Sequence, residues 1–147
     1  MKLAGDYTLQ AHVSVDRLWD ALNDPNVLQK CTPGCEQIID IGGEEYELLL
    51  ELGIAAVKGR YKGKMKIQDK VPPSHYVLVV EGSGAAGFVN GRGVIDVKDQ
   101  DDRVVIRYEG EVKVGGAIAA IGQRMLGGVA KMIVGQFFKA LDHQLIS

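Results

Sequence analysis

The chain has 147 residues, the length of one ordinary domain with enough material to bury most of its apolar surface around a single core. Hydrophobic residues make up 46% and charged residues 24%, which excludes disordered and collagen-like chains. Seventeen Lys and Arg against nineteen Asp and Glu leave a net charge of -2, so no domain-wide positive field is available for a nucleic-acid backbone.

Residues 3–13 alternate, with Tyr7, Leu9, Ala11 and Val13 on one face and Thr8, Gln10 and His12 on the other, the period of a half-buried strand. Polar residues this early interrupt any signal-peptide core, and a cytoplasmic location is the expectation. Ser14 is placed to cap a short helix through Trp19 and Leu22, and Asp24-Pro25 restarts the chain as a cap followed by a first-turn proline. Cys31 and Cys35, the only two cysteines, flank Thr-Pro-Gly and read as small residues near a turn.

From Glu36 to Val114 alternating runs are separated by turn signals at Gly42-Gly43, Pro72-Pro73, Gly82 to Gly87 and Asp99 to Asp102, which predicts an antiparallel meander. The alternation is cleanest around Val57 to Ile67, where Lys58, Arg60, Lys62, Lys64 and Lys66 share one face and Val57, Tyr61, Met65 and Ile67 the other. Glu45, Glu47 and Glu51 fall on the same outer face if the two strands pair, so cross-strand charge pairing accounts for the basic row. After Gly115-Gly116, apolar residues recur at helical spacing, predicting one helix over 117–145, on the order of 40 Å long. Arg124, Lys131 and Lys139 interrupt it, and it falls short of a membrane span. The expected architecture is α+β: two short helices after strand one, a sheet of about seven strands, and a long C-terminal helix over one sheet face, with 1–147 forming a single domain.

Nineteen glycines are nearly twice ordinary usage. By alternation Gly59 and Gly63 share the face of Tyr61 and Met65, and Gly91 and Gly93 that of Val89 and Ile95. These positions bend a sheet or leave its interior unfilled. In the helix, Gly122, Gly127, Gly128 and Gly135 each cost roughly 1 kcal/mol relative to Ala, so packing or room for a ligand should compensate. The pattern points to an apolar cavity lined by Tyr61, Met65, Phe88, Tyr108, Met125, Val129, Met132, Ile133 and Phe137, with Gly59, Gly63, Gly91, Gly93 and Gly122 in its wall. Tyrosine hydroxyls are the candidates for holding a carbonyl oxygen.

Other chemistry lacks its signature. Gly82-Ser83-Gly84-Ala85-Ala86-Gly87 has G-x-G-x-x-G spacing, but strand alternation resumes at Phe88 where a dinucleotide site needs a helix. His12, His75 and His143 lie in distant segments without metal-ligand spacing, and no catalytic residue is assigned.

The order of several pieces resembles a known family. Trp19-x-x-Leu22-x-Asp24-Pro25 and Leu28-x-x-Cys31-x-Pro33-Gly34-Cys35-Glu36 are similar to the start of the G-subunit proteins of carbon monoxide dehydrogenase. Gly59-x-Tyr61-x-Gly63, Gly91-x-Gly93, Tyr108-x-Gly110-x-Val112-x-Val114-Gly115-Gly116, Gly122 and Phe137-Phe138 extend the likeness along nearly the whole chain. The resemblance implies the helix-grip fold of the START and Bet v 1 (SRPBCC) superfamily, with a hydrophobic cavity. It also implies a non-enzymatic accessory role linking a molybdenum-containing CO dehydrogenase-type oxidase to the membrane quinone pool, at the inner face of the membrane. On this reading the chain has no intrinsic cofactor and binds a quinone, isoprenoid or other apolar molecule. The alternatives are a polyketide-cyclase-like or hydrolase-like enzyme of the same superfamily, and a pure interaction module with a packed interior.

Overall fold

The alternating runs become seven strands in the computed structural model, which describes residues 1–146. They are β1 (Lys2–Thr8), β2 (Cys35–Gly42), β3 (Glu45–Leu52), β4 (Gly59–Val71), β5 (His75–Gly84), β6 (Gly87–Gln100) and β7 (Arg103–Gly115). All pair antiparallel in the order β1-β7-β6-β5-β4-β3-β2, so β1 and β2 are the two edges. Two short helices, α1 (Val15–Leu22) and α2 (Pro25–Cys31), carry the chain from one edge to the other.

Local chemistry explains where these helices begin. Ser14 Oγ accepts the Arg17 amide at 3.1 Å and Asp24 Oδ1 accepts the Asn26 amide at 2.9 Å, each satisfying an N–H that a helix start leaves unpaired. α2 then protects the exposed edge: the Gln29 side-chain amide donates to the Glu36 carbonyl at 3.1 Å and accepts the Ile38 amide at 3.3 Å. Those β2 groups are thereby withheld from a foreign strand.

Strand β1 ends at Thr8 rather than running to Val13. Its continuation is diverted because the Asp142 carboxylate accepts the backbone amides of Gln10 and Ala11, both at 2.8 Å. On the outer face, Lys66 meets Glu45 at 3.6 Å and Arg60 meets Glu51 at 3.3 Å across the β3–β4 register. Such exposed pairs fix little stability, about 0–1 kcal/mol each, but they account for the basic row.

The predicted C-terminal helix is two pieces. A 3-10 segment covers Gly116–Ile121, and the α-helix α3 covers Gln123–Ile146. Between them Gly122 has φ +98°, a conformation that L side chains rarely adopt, and it redirects the chain. A second 3-10 turn, Ala55–Val57, joins β3 to β4.

α3 lies across the inner sheet face and shares a main core with Leu9, Leu18, Trp19, Ile106, Phe138 and Leu141. A smaller core of Val57, Tyr61, Ile118 and Leu126 gathers around the two 3-10 segments.

Candidate functional site

Between these two cores the sheet and α3 border an apolar cavity of about 490 Å³. Its volume lies in the usual range for small-molecule sites, roughly 300–1,000 Å³. The strands contribute Leu48 and Leu50 from β3, Tyr61, Met65 and Ile67 from β4, Tyr76, Leu78 and Val80 from β5, and Val112 and Val114 from β7. Facing them, α3 presents Leu126, Val129, Ala130, Ile133, Val134, Phe137 and Phe138, spaced at three and four residues along one helix face. Leu22 and Leu28 border the cavity from α1 and α2, while Val57 and Ile118 border it from the 3-10 segments.

Of the residues expected around it, Tyr61, Met65, Tyr108, Val129, Ile133, Phe137 and Gly63 lie on the lining. Three expectations are corrected. Phe88 is 46% exposed on the outer face, because the alternation that turns Val89 and Gly91 inward turns Phe88 out with Asn90 and Arg92. Met125 and Met132 are 58% and 42% exposed. They sit seven residues apart on α3, one position outside the row formed by Leu126, Val129 and Ile133, so the lining is less Met-rich than composition suggests.

The glycine expectations are also revised. Gly59, Gly91, Gly93 and Gly122 are absent from the lining. At Gly91 the missing side chain is covered by Val80 and Val112, whose methyls lie 3.1 and 3.5 Å from where a Cβ would stand. Gly63 does border the cavity, and there a Cβ would press to 3.0 Å from the Glu81 carbonyl oxygen. Gly128 and Gly135 face away from any neighbour, and they do not thin the wall.

The polar groups on this surface are few. The Tyr61 hydroxyl donates to the Val57 carbonyl at 2.7 Å, tying β4 to the adjacent 3-10 turn, and its burial raises the phenol pKa. Sequence reasoning missed Tyr76, a buried lining residue whose ring meets Trp19 edge-on at 5.5 Å. Its signal was present, since Tyr76 shares the inward phase of Leu78 and Val80. Burial drives its pKa far above the ordinary phenol value, with no other cause. Tyr108 is in the next strand but one, and its hydroxyl lies over Gly5, where a Cβ would approach it to 2.6 Å.

Acid-base groups do not converge here. Among the described residues Lys, Arg and His are missing from the lining, and Glu81, the one carboxylate residue on it, is exposed. His75 pairs with Asp96 at 2.8 Å across neighbouring strands, away from the cavity. Among the described residues no group of three or more His, Cys, Asp or Glu could hold a metal ion. A larger hollow of about 700 Å³ opens on the outer face, bordered by Glu47, Lys62, Lys64 and Glu81 with Ile39 and Phe88; its charges suit water better than an apolar occupant.

A family model for the carbon monoxide dehydrogenase G subunit (CoxG) matches residues 9–146. The crystal structure of a conserved protein from Geobacillus kaustophilus is 42% identical with a TM-score of 0.94, covering 99% of this chain and 95% of that one. A START superfamily protein from Mycobacterium smegmatis has a TM-score of 0.74 at 9% identity, covering 98% and 96% of the two chains. Ara h 8.0201 has a TM-score of 0.71 at 13% identity, covering 99% and 97%. These last two likenesses concern fold alone, and the fold is helix-grip. A search of curated proteins finds no match. Among the described residues no helix is long and apolar enough to cross a membrane.

Proposed function

The chain belongs to the CoxG family of carbon monoxide dehydrogenase proteins, and from that premise we propose that it is a non-enzymatic carrier for a quinone-like or isoprenoid molecule. The observation that supports this most is the cavity between sheet and helix, whose lining is mostly hydrocarbon, with a few neutral hydroxyls, the Met1 residue and the exposed Glu81 as its polar exceptions. An apolar ligand moved from water into it gains roughly 25 cal/mol per Å² of surface buried. Tyr hydroxyls supply orientation without the desolvation cost of a charge.

In the fuller reading, the carrier links a molybdenum-containing CO dehydrogenase-type oxidase to the membrane quinone pool from the inner face of the membrane. The molybdenum belongs to that partner. The role of this chain's own residues is to sequester the ligand, exclude water and hold a carbonyl oxygen in place. An enzyme reading would need a general acid and base converging on the ligand, and no pair on the lining supports it.

Native mass spectrometry of the purified protein, combined with organic extraction, tests the proposal. A bound quinone or isoprenoid species released by extraction is the expected result. Repeated purification without any apolar ligand, together with failure to take one up from added quinone, overturns it.

A further inference from the structure

Buried phenols ordinarily find a hydrogen-bond partner. Two of the tyrosines in the core region follow that rule: Tyr7 donates to Asp142 at 3.0 Å and Tyr61 to the Val57 carbonyl at 2.7 Å. Tyr76 does not. It is only 5% exposed, no described residue hydrogen-bonds its hydroxyl, and that oxygen is not fully enclosed but keeps some open surface; Tyr46, at 6% exposed, is also unpartnered but lies off the cavity lining. Desolvation is the sole cause of its raised pKa, which agrees with a phenol that neither gives nor receives a bond inside the protein.

The position of this group is as informative as its lack of a partner. Cross-strand pairing puts Tyr76, Ile95, Tyr108 and Gly5 in one row across β5, β6, β7 and β1. Tyr108 directs its hydroxyl over Gly5 of the edge strand, away from Tyr76. Tyr76 belongs to the main core with Trp19, Leu22 and Leu28, at the end of the cavity covered by α1 and α2. Val57, Tyr61 and Ile118 form the separate cluster around the 3-10 segments. The cavity therefore has a neutral donor set among hydrocarbon at one end. Met1 also borders the cavity, but its ammonium is committed to the Val112 carbonyl at 2.9 Å, and Met1 packs on the other cluster.

We propose that the Tyr76 hydroxyl is the polar anchor of the cavity, donating a hydrogen bond to a neutral carbonyl oxygen at the leading end of a largely hydrocarbon ligand. The ligand lies with this oxygen beneath α1 and α2 and its hydrocarbon towards the 3-10 segments. A carboxylate headgroup is disfavoured, because no Lys, Arg or His on the lining would meet its charge. The inference rests on the cavity being a ligand site and specifies which ligand chemistry that site selects.

The test uses two probes of similar shape, 2-methyl-1,4-naphthoquinone and 2-methylnaphthalene, measured by equilibrium dialysis against the wild-type chain, Tyr76→Phe and Tyr61→Phe. Trp19, the only tryptophan, abuts Tyr76 and gives an independent fluorescence reading of quinone arrival. Tyr76→Phe should weaken the quinone about tenfold, the effect of one net hydrogen bond, and leave the hydrocarbon within about twofold. Tyr61→Phe should lack this selectivity. Without ligand, Tyr76→Phe should melt no lower than the wild type, because the hydroxyl it removes has no internal partner. Equal losses for both probes, no loss for either, or a clearly lowered melting temperature overturns the anchor while leaving the carrier reading intact. Failure of the wild type to bind either probe overturns both.

Discussion

Asp142 is the test of how α3 is held over the sheet. It is 4% exposed, and its carboxylate accepts the Ala11 amide at 2.8 Å through Oδ1 and the Gln10 amide at 2.8 Å and Tyr7 hydroxyl at 3.0 Å through Oδ2. Asp142→Ala removes all three bonds, two from the segment where β1 stops. Hydrogen bonds to a charged group are worth about 1.5–3 kcal/mol each, but water can recover part of the loss at Gln10, so the net cost should be about 4 kcal/mol. For a chain of this size that corresponds to a fall in melting temperature on the order of 10 °C. Tyr7→Phe removes one bond and keeps the stack on Phe138, whose ring centroid lies 5.3 Å away; it should cost about 1–2 kcal/mol. In an Asp142→Ala background the same change should cost nearly nothing, since the bond is already gone. Urea denaturation of the four proteins in this cycle measures the coupling directly. A loss below about 1 kcal/mol for Asp142→Ala, or an equal cost of Tyr7→Phe in both backgrounds, would refute the clasp.

Ile133→Trp places a larger ring in the cavity from the middle of α3, and should lower quinone affinity at least tenfold with little loss of melting temperature; unchanged binding would move the site elsewhere. Met132→Ser and Phe88→Ser alter exposed surfaces and should leave affinity within about twofold. Alkaline stability follows from Tyr7, Tyr46, Tyr61 and Tyr76, all raised, first by burial. Because the unfolded phenols ionise near pH 10 and the folded ones above it, this contribution is fully present below about pH 10 and drains away as the pH rises. Melting curves across that range should fall steeply, and less steeply for Tyr76→Phe; a flat profile contradicts the burial argument.

Much of the fold was legible because its signals are local. Lys and Glu alternating on β3 and β4, the Ser14 and Asp24 caps, and turn residues between strands each act within a few positions. The break before α3 was also local, yet helical spacing in Ile118 and Ile121 outweighed Gly122, whose positive φ is visible only in the backbone. Phe88 was misplaced by its chemistry when its own strand phase already turned it outward. Met125 and Met132 show the limit of composition: the row next to a buried helix face looks apolar but meets no sheet. The Asp142 clasp was hidden because its partners lie more than 130 residues away in the chain. Tyr76 was overlooked for the reverse reason, since a tyrosine in an apolar strand reads as core until its hydroxyl is seen to lack a partner.

Methyl NMR titration with a menaquinone analogue carrying one isoprene unit tests the carrier account most directly. Saturable shifts at Leu48, Val112, Val129 and Ile133, with Ile39, Ile41 and Met132 unmoved, are the predicted result. Shifts confined to the outer-face methyls, or none at all up to the solubility of the probe, would contradict it.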